Sequence, residues 1–357
     1  PLASEMDRDA RFEPDLIEEL AKINAWGIQL PEKFGGAELD SISYAIAIEE
    51  LSRICASTGL TVTVHNSVGA YPILKWGSEE QKERFLPEIA SGEKIAGFTW
   101  TEPSAGSDAA GIECMATEDG DDLILKGSKI FVTNGGIGDV FLVGTKYQLE
   151  DGEKGVTALI VERNMEGYEV GPKEDKMGMR ANPTTSLYFH DVRVPKENVL
   201  GNLNDGFRIA MQTLDVGRIG IAAQALGIAQ AAYEHSVEYS KGRMQFGRPI
   251  SKFQAISFKL ARMSTEIDAA RLLVYRAAHK KDAGKRISKE AAMCKYHASK
   301  VAREVSQQAI QVHGGYGYMK DLPVERFYRD AKVCEIYEGT SEIMKLIISQ
   351  QVLRGNL

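Results

Sequence analysis

The sequence predicts a mainly α-helical protein with a β-stranded middle domain. Three observations predict this fold class: helical periodicity up to residue 95, short β-branched or aromatic runs over 96–205, and long alanine-rich runs over 206–357. We therefore expect an N-terminal helical domain over 1–95, an antiparallel sheet or small barrel over 96–205, and a C-terminal helical bundle over 206–357.

The composition is that of an ordinary folded protein. The chain has 357 residues, 43% of them hydrophobic and 26% charged, with a formal net charge of −7. These values exclude a disordered or fibrous chain, and the length predicts two or three domains. The acidic balance argues against nucleic acid, and no run reaches the ~18 apolar residues of a membrane span. Four scattered cysteines without a CxxC pair predict free thiols in a reducing compartment.

Two amphipathic runs predict the N-terminal helices. AIAIEELSRI places Ala45, Ile48 and Leu51 near helical spacing, and EEQKERFLPEIA is a second candidate helix. The glycines that follow Phe34 separate such pieces. Because the chain starts abruptly with PLASEMDRDA, we expect part of the first helix to be missing.

The middle domain is predicted from short apolar runs about ten residues apart, with no helical pattern between them. The runs are 123–125, 129–132, 140–143, 156–161 and 187–189. Turn sequences such as Asp119-Gly120-Asp121 and Asn134-Gly135-Gly136 separate them. This spacing favours an antiparallel sheet or barrel.

The C-terminal domain is predicted from three long helical runs that begin near residue 206. Ser251 is the expected N-cap of the second run, and Gly314-Gly315 ends the third as a C-cap. Two shorter helices should close the chain. The alanine content predicts burial on several sides, hence a bundle that also packs against other subunits.

Several common functional motifs are absent. The chain has no GxGxxG after a strand, no GxxxxGK[ST] and no GxSxG, and its six histidines show no HExxH or paired spacing. Nicotinamide binding in a Rossmann fold, phosphoryl transfer, serine hydrolysis and metal chemistry all lose support, and we expect no metal site.

Two segments of the middle domain could hold a flat polar ligand. The loop Phe98–Asp108 follows a strand with small hydroxyl residues and glycine, whose donors suit such a ligand edge. In the strand Lys129–Gly135, an aromatic and a hydroxyl alternate onto one face. An ordinary turn and a core phenylalanine are the alternative interpretations.

Three C-terminal segments carry further candidates. The arginines of Arg243–Pro249 could bind a pyrophosphate as forked donors, and the paired glycines of Gln311–Tyr318 allow close approach of a ligand. In Ile336–Ile343, Glu338 lies between a tyrosine and a glycine before a capped helix, where a carboxylate can act as a proton acceptor. The alternatives are a solvated helix end, a simple helix C-cap, and an acid that complements a helix dipole.

Seven segments in order along the chain together resemble the acyl-CoA dehydrogenase family, most of all its short-chain, butyryl-CoA branch. They are TEPSAGSD, KIFVTNGG, KMGMR, TLDVGRIGIAAQALGIAQ, RMQFGRPISKFQAI, QVHGGYGY and RDAKVCEIYEGTSEI. The resemblance implies a four-helix bundle at the C-terminus and a homotetramer built as a dimer of dimers. It also implies FAD in a cleft between the β domain and the bundle, with the AMP half reaching a neighbouring subunit.

The resemblance assigns candidate residues to both ligands. The FAD contacts are Phe98, Trp100, Thr101, Gly106, Ser107, Phe131, Thr133, Arg243, Gln245, Phe246, Gln254, Gln311, His313, Gly314, Gly315, Thr340 and Glu342. The acyl-CoA contacts are Ser107, Asn182, Asp215, Arg218, Tyr337 and Gly339. Two positions depart from the family pattern: Asn182 precedes a proline, and Phe131 stands where many relatives carry tryptophan.

The implied reaction is the α,β-dehydrogenation of an acyl-CoA to the trans-2-enoyl-CoA, as in fatty-acid β-oxidation. Glu338 takes the α proton, and the β hydride passes to flavin N5. The N–H of Glu338 and a ribityl hydroxyl of FAD would hold the thioester oxygen. Electrons then pass to electron-transferring flavoprotein. Some relatives carry the base at the position of Gly217, which cannot accept a proton here.

Alternatives remain open. The same fold could serve an acyl-CoA or nitroalkane oxidase that uses O₂, or a flavin-binding scaffold without catalysis. Butyryl-CoA is the expected substrate, with branched, cyclic, aromatic or dicarboxylic thioesters as alternatives, and the direction of reaction is open. The helix around Val62–Gly69 should line the far end of the acyl pocket, where His65 and Asn66 either shape it or are structural. A bacterial chain would be cytoplasmic and a eukaryotic one mitochondrial.

Overall fold

The computed structural model describes residues 2–148 and 154–355. The N-terminal helices are α1 (Leu2–Arg8), α2 (Asp15–Lys22), α3 (Ser41–Ile54), α4 (Ala56–Val64), α5 (Tyr71–Trp76) and α6 (Glu79–Ser91). Asp40 caps α3 by accepting the Ser43 N–H at 2.7 Å, and Ser78 and Gln81 form a capping box at α6. The two predicted amphipathic runs are therefore helices α3 and α6.

A buried π-helical turn, His65–Ala70, joins α4 to α5. The His65 ring bonds to the Ile89 carbonyl at 3.1 Å through Nε2 and accepts the Ala96 N–H at 3.0 Å through Nδ1. Burial lowers the pKa of His65 to about 4, so the ring is neutral at pH 7. Both of its nitrogens are used by backbone groups, which confirms the structural interpretation of this histidine.

The middle domain is one seven-stranded sheet. Its strands are β1 (Ala96–Thr99), β2 (Met115–Asp119), β3 (Asp122–Val132), β4 (Val140–Gln148), β5 (Lys154–Glu162), β6 (Tyr168–Lys173) and β7 (Thr185–Pro195). Their order is β1-β4-β2-β3-β7-β6, with β5 paired to β4. All of the predicted apolar runs lie in strands.

The predicted antiparallel sheet has one departure, because β4 pairs in parallel with both β1 and β2. The even spacing of the runs suggested a series of hairpins. However, β3 and β4 are consecutive in the chain and do not pair, since the loop between them carries β4 past β2. The remaining pairs are antiparallel.

The C-terminal domain consists of helices α7 (Gly206–Gly242), α8 (Gln254–Asp282), α9 (Ser288–His313), α10 (Val324–Val333) and α11 (Ser341–Leu353), with a short hairpin of β8 (Met244–Gln245) and β9 (Arg248–Pro249). Helices α7, α8 and α9 pack against one another and α11 packs against α9, as a four-helix bundle requires. Helix α3 also packs on α7, so the two helical domains share one core.

One predicted helix boundary is wrong. Ser251 lies in a 3₁₀ turn, Ile250–Lys252, and α8 begins at Gln254 without a side-chain cap. The Phe253 N–H bonds instead to the Ile250 carbonyl at 3.0 Å, which extends the turn from the hairpin into the helix. Gly314 ends α9 as predicted, with φ of +60°.

Within residues 2–148 and 154–355, no helix is long and apolar enough to span a bilayer, and no cluster of three or more candidate ligands could hold a metal ion. The four cysteines are free thiols.

Candidate active site

The loop between α10 and α11 places Glu338 in an unusual backbone conformation. Glu338 has φ of +51° and Gly339 has φ of +104°, so two consecutive residues have positive φ. The loop ends at Thr340, whose hydroxyl accepts the Ile343 N–H at 3.3 Å and caps α11. This turn directs the side chain of Glu338 towards α7 rather than along the new helix.

Two buried cations hold the carbonyl oxygens of this turn. Arg218 on α7 donates from Nε to the Glu338 carbonyl at 3.1 Å, and Lys295 on α9 donates to the Gly339 carbonyl at 2.6 Å. Arg218 also donates to Asp215 at 2.7 Å, and Asp215 accepts the Ser288 hydroxyl at 2.5 Å. The turn is therefore tied to both α7 and α9 of the bundle.

The carboxylate of Glu338 lies against α7 at Gly217. Its Oε2 is buried and has no hydrogen-bond partner within the described residues. A Cβ placed on Gly217 would lie 2.3 Å from this oxygen and 2.8 Å from Cγ1 of Val68. The close approach is thus possible only because residue 217 has no side chain.

Burial raises the pKa of Glu338 to about 7, against the opposing charges of Arg218 and Lys295. A carboxylate with a pKa near the working pH can both take up and release a proton. Neither cation lies within the 4.0 Å ion-pair distance of the carboxylate, because each binds a backbone oxygen. The oxygen is consequently free to meet a substrate.

The two middle-domain segments meet across a buried ion pair. Lys129 of β3 lies 2.7 Å from Glu102 in the loop after β1, and it also donates to the Trp100 carbonyl at 3.1 Å. Glu102 in turn accepts the N–H groups of Glu113 and Cys114. The pair fixes the loop that starts at Phe98 relative to the strand that ends near Phe131.

Aromatic groups flank this ion pair. Phe98 stacks on Trp100 with ring centroids 5.7 Å apart and an interplanar angle of 6°. Phe131 is 62% exposed and has φ of +56°, so a large apolar ring is held at the surface by a strained backbone. Such a ring suits a flat apolar ligand face.

A cavity of about 560 Å³ opens at the C-terminal end of α9. Its lining combines a cation, an aromatic ring and glycines: Tyr239, Arg243, Gln245, Ile250, Val312, His313, Gly314, Gly315, Tyr316 and Met319. The Arg243 guanidinium lies 5.6 Å from the centre of the Tyr316 ring. Five of the predicted FAD contacts are therefore neighbours here, and the lining suits a phosphate beside a flat ring.

Three family models cover nearly the whole chain. They are the acyl-CoA dehydrogenase N-terminal domain over 1–93, the middle domain over 97–192 and the C-terminal domain over 204–353. A protein of Bacillus subtilis described as an acyl-CoA dehydrogenase is 50% identical over 99% of this chain and 94% of its own length. The chain belongs to the acyl-CoA dehydrogenase family.

Further members of this family are similar in sequence and structure. A 3-(aryl)acrylate reductase of Clostridium sporogenes is 47% identical over 99% of this chain and 94% of its own length. The butyryl-CoA dehydrogenase of Megasphaera elsdenii superposes with a TM-score of 0.97 at 47% identity, over 99% of this chain and 94% of that one.

Two other similar solved structures come from work on an electron transferring flavoprotein and on a complex with FAD. A chain from work on the electron transferring flavoprotein of Acidaminococcus fermentans has a TM-score of 0.96 at 48% identity, over 98% of this chain and 92% of that one. An acyl-CoA dehydrogenase complexed with FAD from Bacillus anthracis has a TM-score of 0.90 at 35% identity, over 96% of this chain and 62% of that one.

Other predicted FAD contacts lie open at the surface of the single chain. Phe246 is 92% exposed, and its ring lies edge-on to that of Phe253, at 6.0 Å between ring centres. The exposed predicted contacts are Gly106, Ser107, Gln254, Gln311 and Glu342, and the half-buried ones are Thr101 and Thr133. Their contacts to a cofactor stay predictions.

Two predicted contacts have their side chains committed elsewhere. Asn182 is fully buried, donates to Thr61 and Asn134, and accepts from Thr184, so its amide has no group free for CoA. The Trp100 indole donates to the Ala109 carbonyl at 2.8 Å and is buried. The geometry therefore does not support a side-chain contact from either residue.

Asp215 and Arg218 are also buried, since they support the Glu338 turn as described above. Tyr337 donates its hydroxyl to Gln224 on α7. Sequence reasoning missed Lys295 and the Glu102–Lys129 pair. A charged residue at an apolar position of a strand or an alanine-rich helix was the available signal, because such residues are rarely buried without a partner.

Proposed function

We propose that this chain is a FAD-dependent acyl-CoA dehydrogenase that acts on short-chain acyl-CoA thioesters. The observation that carries the proposal is the buried, unpartnered Oε2 of Glu338, held above Gly217 with a pKa of about 7. A thioester α-carbon is a weak acid, and a base that has no competing hydrogen bond can accept its proton.

The chain supplies the base and one donor for the thioester. Glu338 removes the α proton. Its own backbone N–H makes no hydrogen bond within the described residues, which leaves this group free to stabilise the thioester oxygen as negative charge develops there. FAD, when bound, supplies the acceptor for the β hydride. Arg218 and Lys295 keep both the base and the donor in place through the turn.

The residues present fit FAD. The exposed ring of Phe131 and the loop that follows Phe98 would lie beside the flavin, and the cavity at Arg243 and Gly314 would take the phosphates and the adenine. Gly314 and Gly315 have no atom within 4 Å of where a Cβ would stand, so the backbone there is open to a ligand. The FAD complex of the Bacillus anthracis relative supports this cofactor.

A short acyl group is supported by the packing around α7. One turn beyond Gly217, the Tyr44 hydroxyl and Thr63 fill the space above Gly220. Because these side chains already contact α7 at Gly220, an acyl chain would not run along α7 past this residue. The butyryl-CoA dehydrogenase of Megasphaera elsdenii is consistent with the same substrate class.

A second candidate is the reverse reaction, in which an enoyl thioester or acrylate is reduced. The similarity to the 3-(aryl)acrylate reductase favours it. A carboxyl group with a pKa of about 7 can donate a proton to the α-carbon as readily as it accepts one. The geometry of the base is the same in both directions.

The proposed electron acceptor is electron-transferring flavoprotein, and the proposed assembly is a homotetramer. The Acidaminococcus fermentans structure supports the acceptor. The exposed side chains of Arg248 and Phe246 support the assembly, since they would contact the FAD of a neighbouring subunit. Peroxide formation in the presence of O₂, with no other acceptor added, would instead favour an oxidase.

A panel of acyl-CoA thioesters tests this proposal. Each is added to the purified FAD-loaded protein without oxygen, and the loss of flavin absorbance is followed. We expect fast bleaching with butyryl-CoA and slower bleaching with long, aromatic or dicarboxylic thioesters. A preparation that cannot be loaded with FAD, or that no thioester bleaches, would contradict the proposal.

A further inference from the structure

Lys295 is a buried cation on the apolar face of helix α9. It is fully buried on α9, and its helical neighbours Ala291, Ala292 and Ala298 are buried as well. No carboxylate of the described residues lies within 4.0 Å of its ammonium group. Its hydrogen bond goes to the Gly339 carbonyl at 2.6 Å. Lysine is almost never fully buried unless it is paired with an opposite charge. The burial of Lys295 therefore requires an explanation.

The positive charge of Lys295, rather than its hydrogen bond alone, explains why a lysine is buried here. A serine or a water molecule could satisfy one carbonyl oxygen at a lower desolvation cost than an ammonium group. The neighbouring residue in the turn is Glu338, whose carboxylate is also buried without a hydrogen bond to Oε2. A cation bound at the base of the turn offsets this negative charge and leaves the oxygens free.

A direct ion pair would serve the reaction less well. An ammonium group bonded to the carboxylate would occupy the oxygen that must take the proton and would lower its pKa further. Lys295 and Arg218 avoid this, because each binds a backbone oxygen of the same turn. They bind the carbonyl oxygens of two consecutive residues from two different helices.

We propose that Lys295 is a positioning residue for the base: it holds the Glu338–Gly339 turn and supplies the countercharge of the Glu338 carboxylate. This inference rests on the proposed function, in which Glu338 takes the α proton. Arg218 on α7, Tyr44 on α3 and Tyr337 in the loop also interact electrostatically with Glu338. Cys334 and Glu335, at the start of the loop, interact with Lys295.

Two variants separate the charge from the hydrogen bond. Lys295→Met removes both, whereas Lys295→Gln removes the charge and keeps an N–H donor. Lys176→Met is the matched control, because Lys176 also donates to a backbone carbonyl, that of Asn182 at 2.9 Å, and burial likewise lowers its pKa to about 8. The measurement is the pH profile of kcat and kcat/KM for butyryl-CoA with the FAD-loaded proteins.

In both Lys295 variants we expect the acidic limb of the profile to move up by about one pH unit, because an opposing charge is lost. At pH 8 we expect kcat to fall about tenfold in Lys295→Met and less in Lys295→Gln, with KM nearly unchanged. Lys176→Met should keep the wild-type profile.

An unshifted acidic limb in Lys295→Gln, whatever its activity or melting temperature, would show a merely structural role and overturn the inference. This variant retains polarity at the buried site, so it keeps the test available if Lys295→Met does not fold. Glu338→Gln distinguishes the two proposals. If it bleaches flavin at the normal rate, the proposed function fails. If it is inactive while the Lys295 variants keep the wild-type profile, only this inference fails.

Discussion

The Oε2 atom of Glu338 lies where the side chain of residue 217 would begin, 2.3 Å from the position of a Cβ on Gly217. A carboxylate from the loop before α11 therefore fills a space on the surface of α7. The glycine has two effects: it admits the oxygen to a buried site, and it keeps any competing side chain out. Burial at this site is what raises the pKa of Glu338 to about 7.

Gly217→Ala should displace Glu338, the proposed base. The added methyl group cannot coexist with Oε2 at 2.3 Å, and Val68 at 2.8 Å blocks the other side. A misplacement of ~1 Å costs about 10²-fold in rate, so we expect kcat to fall by that order while the FAD content stays unchanged. Gly242→Ala at the end of the same helix meets no atom within 4 Å and is the control. Equal kcat in both variants would contradict the described contact.

The activity should depend on pH through Glu338. The proposed base must be ionised, and the pKa of Glu338, about 7, lies well above the ordinary value of 4.5. We expect kcat/KM for butyryl-CoA to be constant above about pH 8 and to fall about tenfold per pH unit below about pH 6. A profile that stays flat down to pH 5 would show that an unperturbed carboxylate, or no carboxylate, is the base.

Glu338→Gln should stabilise the protein at alkaline pH. The folded carboxyl group holds its proton more tightly than the unfolded one, so wild-type stability is lost as the pH rises from 4.5 through about 7. The loss reaches up to about 3 kcal/mol, which the neutral glutamine does not suffer. Thermal unfolding should give a higher melting temperature for the variant at pH 8 and a small difference at pH 5. Glu93→Gln, which changes an exposed side chain, should show no such pH-dependent gain.

The buried pair of Glu102 and Lys129 should be required for both stability and cofactor retention. Lys129→Met leaves Glu102 buried without its cation, which costs about 3–5 kcal/mol. Since the pair also joins the segments around Phe98 and Phe131, we expect the variant to lose FAD on gel filtration. The control variant Lys126→Met removes an exposed lysine from the same strand and should retain FAD. Retention of FAD by both variants would contradict this role.

Much of the fold follows from local sequence patterns. Amphipathic periodicity located α3 and α6, and the apolar runs located the strands, because burial on one face sets a period that the sequence shows. The order of the strands did not follow, since parallel pairing of β4 with β1 and β2 depends on contacts between distant segments. The prediction of Ser251 as a helix N-cap is wrong because serine also fits a 3₁₀ turn.

Candidate site residues are predictable where a residue with suitable chemistry lies within a recognisable sequence motif. The sequence neighbours of Glu338, Tyr337 and Gly339, predict it as the base, and Gly217 is a position that cannot accept a proton. The cations that hold the turn were not assigned that role, because nothing local connects Lys295 on α9 to a carbonyl 44 residues further along the chain. Asn182 shows the opposite limit of local sequence patterns, because the interior hydrogen bonds of its side chain, to Thr61 and Asn134, join distant segments.

The most direct measurement compares the wild-type protein with Glu338→Gln in one anaerobic turnover. Both are loaded with FAD, mixed rapidly with butyryl-CoA, and followed by flavin absorbance. General-base catalysis is worth ~10²–10⁴-fold, so the variant should bind FAD normally and bleach slower by at least that factor. Bleaching at a near-normal rate would show that Glu338 does not take the α proton.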